Sequence, residues 1–153
     1  MGPTPIKPLT AEERILTIGA TWGETTRTEG YVSDAEVAFI RADDRFAVHL
    51  TAHASTALVD IERTELIRTP QGREYHCKVR GAVQSIVKYA FRLDEPRVEI
   101  RIPSVALPRT CDQSGFSQPT RQFEALNATY ALRGDRLLAI DPPTYRSSLL
   151  PSD

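Results

Sequence analysis

The sequence predicts an all-β chain: an antiparallel meander of about eight or nine strands closing into a barrel-like or sandwich domain, with at most a short N-terminal helix. Three observations point there. From Gly30 onward apolar and polar residues alternate with a period of two, as a strand with one face in a core requires. Tetrapeptides containing Pro, Gly or Asp fall between the alternating runs, and such residues tolerate or prescribe turn dihedrals. No helical pattern of about ten residues interrupts them.

Residues 1–9 read as an extended, proline-punctuated arm. Thr10-Ala11-Glu12-Glu13 matches a capping box, in which threonine and glutamate each satisfy an orphan backbone N–H, and predicts a short helix over 11–16. The β-branched Ile15, Thr17 and Ile18, followed by Gly19, argue against a longer one. Strands are predicted at 15–22, 36–41, 45–54, 57–68, 73–80, 84–93, 97–106, 122–132 and 136–140. In 46–54 the apolar Phe46, Val48 and Leu50 share one face, and His49 and His53 share the other. Val87, Tyr89 and Phe91 line a second strand, Val98, Ile100 and Ile102 a third, and Leu126, Ala128, Tyr130 and Leu132 a fourth. Hairpin turns are predicted at Ala42-Asp43-Asp44-Arg45, Thr69-Pro70-Gln71-Gly72, Asp94-Glu95-Pro96-Arg97 and Arg133-Gly134-Asp135-Arg136. The Ser-, Gln- and Pro-containing stretch 108–120 is the one long loop. The β domain so read covers 10–141, and 142–153 is an extended tail that packs along the outside.

The short helix, then Gly19-Ala20-Thr21-Trp22-Gly23, then a β-meander distantly resembles the lipocalin and fatty-acid-binding (calycin) plan. The resemblance implies that Trp22 plugs the barrel floor and that Arg133 or Arg136 stands for the family's arginine near the last strand. The spacing departs from the family's Gly-x-Trp, because two residues separate Gly19 from Trp22.

With 153 residues, 41% hydrophobic and 25% charged, the chain is long and apolar enough for one domain with its own core. A net charge of -1 gives no electrostatic case for nucleic acid or an anionic membrane as the main partner. No apolar run reaches the roughly 18 residues of a transmembrane helix. Lys7, Lys78 and Lys88 are the only lysines, so arginine carries most of the positive charge. The opening Met-Gly-Pro-Thr-Pro-Ile-Lys-Pro suits a short cytoplasmic protein and equally a mature chain that has lost a secretion signal. It resembles the Pro- and Thr-rich tether of bacterial lipoproteins.

Motifs with chemistry are sparse. His49 and His53, four apart on one predicted strand face, would need a third ligand such as Glu62 or His76 to hold zinc or iron. Neither is placed to serve unless the chain turns tightly at 54–57 or bulges, so no metal and no cofactor is expected. Asp60, Glu62, Arg63 and Glu65 on one strand read as surface charge alternation. No Gly-x-Ser-x-Gly, phosphate loop or dinucleotide fingerprint occurs. Arg133-Gly134-Asp135 reads as a turn, and Asn127-Ala128-Thr129 as a chance sequon within a strand.

Extending the predicted hairpin at 94–97 sets Cys77 opposite about Ser114, about three residues from Cys111, so a bridge between the two cysteines is within reach. A bridge implies an oxidising compartment and, with the tether-like opening, an extracytoplasmic location, periplasmic or envelope-tethered. The function read from these features is a non-catalytic binding module for a small apolar molecule or a protein partner, with Trp22, His49, His53 and Tyr89 facing the ligand. The alternatives are a small β-barrel enzyme of isomerase or cyclase type and a structural envelope component.

Overall fold

A computed structural model describes residues 8–32, 37–141 and 146–152. The predicted arm lies, save Pro8 and Leu9, outside the described residues, as do positions 142–145 and 153 of the predicted tail. One helix, α1 (Ala11–Ile18), precedes ten strands. These are β1 (Thr21–Val32), β2 (Ala38–His49), β3 (Thr56–Arg68), β4 (Glu74–Arg92), β5 (Glu95–Ile102), β6 (Val105–Cys111), β7 (Thr120–Phe123), β8 (Leu126–Arg133), β9 (Arg136–Asp141) and β10 (Ser148–Ser152).

Every strand pairing is antiparallel. Strand order β3-β2-β1-β10-β9-β8-β5-β4, with β4 paired back to β3, closes an eight-stranded barrel. The hairpin β6–β7 adds to the remaining edge of β4. The fold is thus the barrel rather than the sandwich. Outward-facing residues of β4 include His76, Lys78, Arg80 and Lys88, all exposed, whereas a barrel wall facing lipid is apolar. Among the described residues no helix is long and apolar enough to cross a membrane.

The capping box forms as the sequence requires: Thr10 Oγ1 accepts from the Glu13 N–H at 3.1 Å, and Glu13 Oε1 accepts from the Thr10 N–H at 3.2 Å. With both orphan donors satisfied, the helix runs on to Ile18, where a strand was expected to begin at 15. Ile15 is fully buried and packs in the core.

Elsewhere tertiary pairing overrides local turn chemistry. The tetrapeptide 42–45 makes no turn; β2 passes straight through it. Asp43 faces out and accepts from Arg27, while Asp44 faces in and accepts from Arg63 at 2.8 Å. The segments 73–80 and 84–93 are one strand of 19 residues. The hairpin expected at 94–97 turns two residues earlier, on Leu93 and Asp94, both at positive φ, the two-residue geometry that suits a twisted ribbon. Only 112–119 remains of the long loop, because β6 continues through Pro108 to Cys111. The turns at 69–72 and 134–135 lie where the sequence puts them.

The C-terminal segment differs most. Ser148–Ser152 does not pack outside; as β10 it fills the gap between β1 and β9, with Leu149 fully buried. An alternating segment of only five residues between polar neighbours gives no sequence signal of its own.

Inside the barrel the alternation builds a continuous core around Trp22, Val48, Val59, Val79, Ile100, Tyr130 and Leu137. A second, smaller core lies where β2, β3 and β4 run on beyond it: Val37, Phe39, Ile67, Tyr75 and Cys77. The inward face of β3 reads Ala57, Val59, Ile61, then Arg63 and Glu65, then Ile67. A buried charged layer therefore separates the two cores. Cys77 sits directly opposite Cys111 across β4–β6 and is disulfide-bonded to it.

Candidate functional site

The strand register builds a groove on the outside of the barrel. Leu150, Gly23, Ala47, Asp60 and Ala82 are successive cross-strand neighbours on β10, β1, β2, β3 and β4. Small side chains at Gly23, Ala47 and Ala82 leave the floor low. Thr21 and His49 rise along one side, and Thr25, Arg45, Glu62 and Arg80 along the other. The space between them is about 910 Å³, within the usual range for binding clefts. Gly23 is also required by the fold, because a Cβ there would meet the Phe46 carbonyl oxygen at 2.7 Å.

A polar relay lies on one wall. His49 Nε2 is 2.6 Å from Asp60 Oδ2, and Thr21 Oγ1 is 3.2 Å from His49 Nδ1. With the proton on Nε2, the ring donates to Asp60 and accepts from the Thr21 hydroxyl. This assignment follows from the partners. The relay fixes the imidazole but is not an acyl-transfer centre: Thr21 lies in a regular strand paired on both edges, with β2 and with β10, so its backbone offers no spare N–H for an oxyanion.

The other sequence-derived site residues scatter. His53 does not share a strand face with His49, because β2 ends at His49 and His53 sits in the following turn at φ 63. Its backbone N–H donates to Glu12 Oε1 at 2.5 Å, tying the turn to α1. Glu62 opposes Arg45 rather than His49, and His76 opposes Leu66 rather than Glu65. Among the described residues no group of three His, Cys, Asp or Glu side chains could hold a metal ion. Trp22 is fully buried, and its indole N–H donates to the Gly19 carbonyl at 2.7 Å. Arg133 pairs with Glu95 on the surface, and Arg136 is exposed. Tyr89 packs at the barrel edge. Its hydroxyl is buried without a partner among the described residues, and burial pushes its pKa up to about 12.

Two features escaped the sequence. The first is the groove floor, because Gly23, Ala47 and Ala82 come together only through register. The second is the charged layer. Glu65 accepts from Arg63 Nε at 2.9 Å and from Arg109 Nε at 2.7 Å and Nη2 at 3.0 Å; Arg63 also reaches Asp44 and the Tyr31 hydroxyl. The signal present in the sequence was parity: Arg63 and Glu65 share the odd-numbered face of Val59, Ile61 and Ile67. Burial disfavours the Arg63 charge, but Glu65, Asp44 and Tyr31 outweigh it and hold the guanidinium pKa above its ordinary value.

No protein-family model matches the sequence, and comparison with curated proteins and with solved structures returned no match.

Proposed function

We propose that the chain is a non-catalytic binding module that takes a protein partner, through an extended segment, in the transverse groove on the outside of its barrel. The observation that carries this reading is the contrast between outside and inside. The groove offers about 910 Å³. The inside is filled instead by the continuous core of buried side chains around Trp22, Val48, Val59, Ile100, Tyr130 and Leu137. A small apolar molecule finds no comparable room there. The groove's lining suits a peptide: a low floor for backbone, hydroxyls and an oriented imidazole on one side, and charges of both signs on the other. The Cys77–Cys111 bond supports an oxidising compartment for this module.

The test uses a displayed library of random extended peptides panned against the purified protein, with Ala47→Trp and Ala82→Trp as counter-targets. Both positions point away from the core, so the variants fill the groove and leave the fold. Enriched peptides should lose affinity by about tenfold or more on either variant. Peptides that bind all three proteins equally, or no enrichment at all, would remove the groove as the binding surface.

A further inference from the structure

Among the described residues, closure of the barrel leaves one long strand edge open. β1 pairs with β2 throughout, but with β10 only at Thr21, Trp22 and Gly23. Beyond Gly23 its second edge has no strand partner among the described residues. The direction of its backbone groups follows from one contact: the Ala20 carbonyl accepts from the Leu50 N–H at 2.7 Å. Backbone groups alternate sides along a strand, and the β1–β2 register is unshifted as far as Glu29. Even-numbered residues of β1 therefore address β2. Odd-numbered ones address the other edge: Thr21 and Gly23 meet β10, while Thr25, Arg27 and Glu29 present N–H and C=O groups that no strand among the described residues receives. Such an edge is a template for another strand.

We propose that this edge pairs with the same edge of a second copy of the chain, antiparallel, about a two-fold axis at Thr28. The side chains select the occupant and the register. Centred on Thr28, Arg27 of each copy lies opposite Glu29 of the other, so two opposite-charge pairs form, and opposed charges across a strand pair are favourable. Both residues belong to the set whose backbone groups point outward, so the same register also makes the ladder hydrogen bonds. Thr28 faces Thr28 of the other copy, another favourable cross-strand pair. A centre on Arg27 or on Glu29 sets like charges face to face, and a centre on Thr26 sets Arg27 opposite Thr25. Both side chains reach solvent, Arg27 57% and Glu29 63% exposed, and their contact within the chain is loose at 3.9 Å. Arg27 keeps its contact to Asp43 on its own β2, at 2.7 Å. Gly30, at φ 70, ends the regular edge. A two-fold contact of this kind is self-complementary and closes without polymerising.

Charge reversal tests both the contact and its register. Sedimentation of the wild type should give a dimer. Arg27→Glu and Glu29→Arg should each weaken it by about tenfold or more, since each alone places like charges opposite at both pairs. Mixed in equal amounts, the two variants should regain the dimer, because an edge with two acidic side chains then faces an edge with two basic ones. Circular dichroism confirms that each variant is folded. A wild type that stays monomeric at about 100 μM, far above the dissociation constants of specific contacts, would overturn the proposal. So would a single variant that dimerises like the wild type, or a mixture that stays monomeric. Ala82→Trp, on the groove, should leave the dimer unchanged.

Discussion

Glu65 has its carboxylate fully buried between two guanidinium groups, with an apolar core on either side. Removing one member of such a cluster leaves its partners charged and unpaired in a dry place, which costs about 3–5 kcal/mol. Glu65→Gln should therefore lower the unfolding free energy by about that amount in urea titration, while exchange of the outward-facing, half-buried Glu62 for Gln changes it by less than about 0.5 kcal/mol. Tyr89 poses the opposite case, a buried hydroxyl without a partner among the described residues. Its folded pKa of about 12 exceeds the ordinary 10.0, through burial first and the Glu12 charge second. The folded state thus holds the proton more tightly, so the contribution to stability is complete below pH 10 and is lost as pH rises through about 12. Tyr89→Phe has no proton to lose. Its melting temperature should match or exceed that of the wild type at pH 8, and should fall less steeply above pH 10. An alkaline limb identical in the two proteins would contradict the assignment.

Among the elements, β6 depends most on a covalent tie. Only Cys111, Thr110 and Arg109 pair with β4, and β7 adds four residues beyond it. The bond between Cys77 and Cys111 spans 34 positions, and in the chain-entropy model such a crosslink stabilises by about 3–4 kcal/mol. Denatured, unreduced protein should show no reactive thiol, and reduction should lower the melting temperature. Two titratable thiols per chain in protein purified without reductant would remove both the crosslink and the case for an oxidising compartment. The pairing was within reach of the sequence because a hairpin reflects positions about its turn; placing the turn two residues late, with β6 itself offset by one from the β4–β5 register, displaced the expected partner of Cys77 from Cys111 to about Ser114. The turn expected at Asp43 and Asp44 failed for another reason. Aspartate favours turns when its carboxylate bonds its own backbone, and here both carboxylates are drawn to arginines on neighbouring strands.

At the scale of the molecule, the barrel closes through its shortest contacts. β10 meets β1 over three residue pairs and β9 over two, and Leu149 inserts between them into the core. Leu149→Ala should cost about 2–5 kcal/mol, as expected for a large-to-small change in a packed interior. Leu150→Ala, one residue along and facing out, should cost far less. Equal effects from the two variants would place this segment outside the barrel wall.

The sequence by itself determined the class of the fold, the inward face of most strands, the helix cap and two of the hairpin turns. Each of these rests on neighbours a few residues apart: period-two alternation, a capping box, a glycine at positive φ. Only the tertiary structure decided that the meander is a barrel closed by its last strand, because closure depends on which edges meet after the sheet has twisted. It also decided the fate of the charges. Arg63 and Glu65 read as surface residues until Asp44 and Arg109, from β2 and β6, arrive to neutralise them. The groove has the same origin: Gly23, Ala47 and Ala82 lie on three different strands, and register, a property of strand pairs rather than of any one segment, sets them side by side.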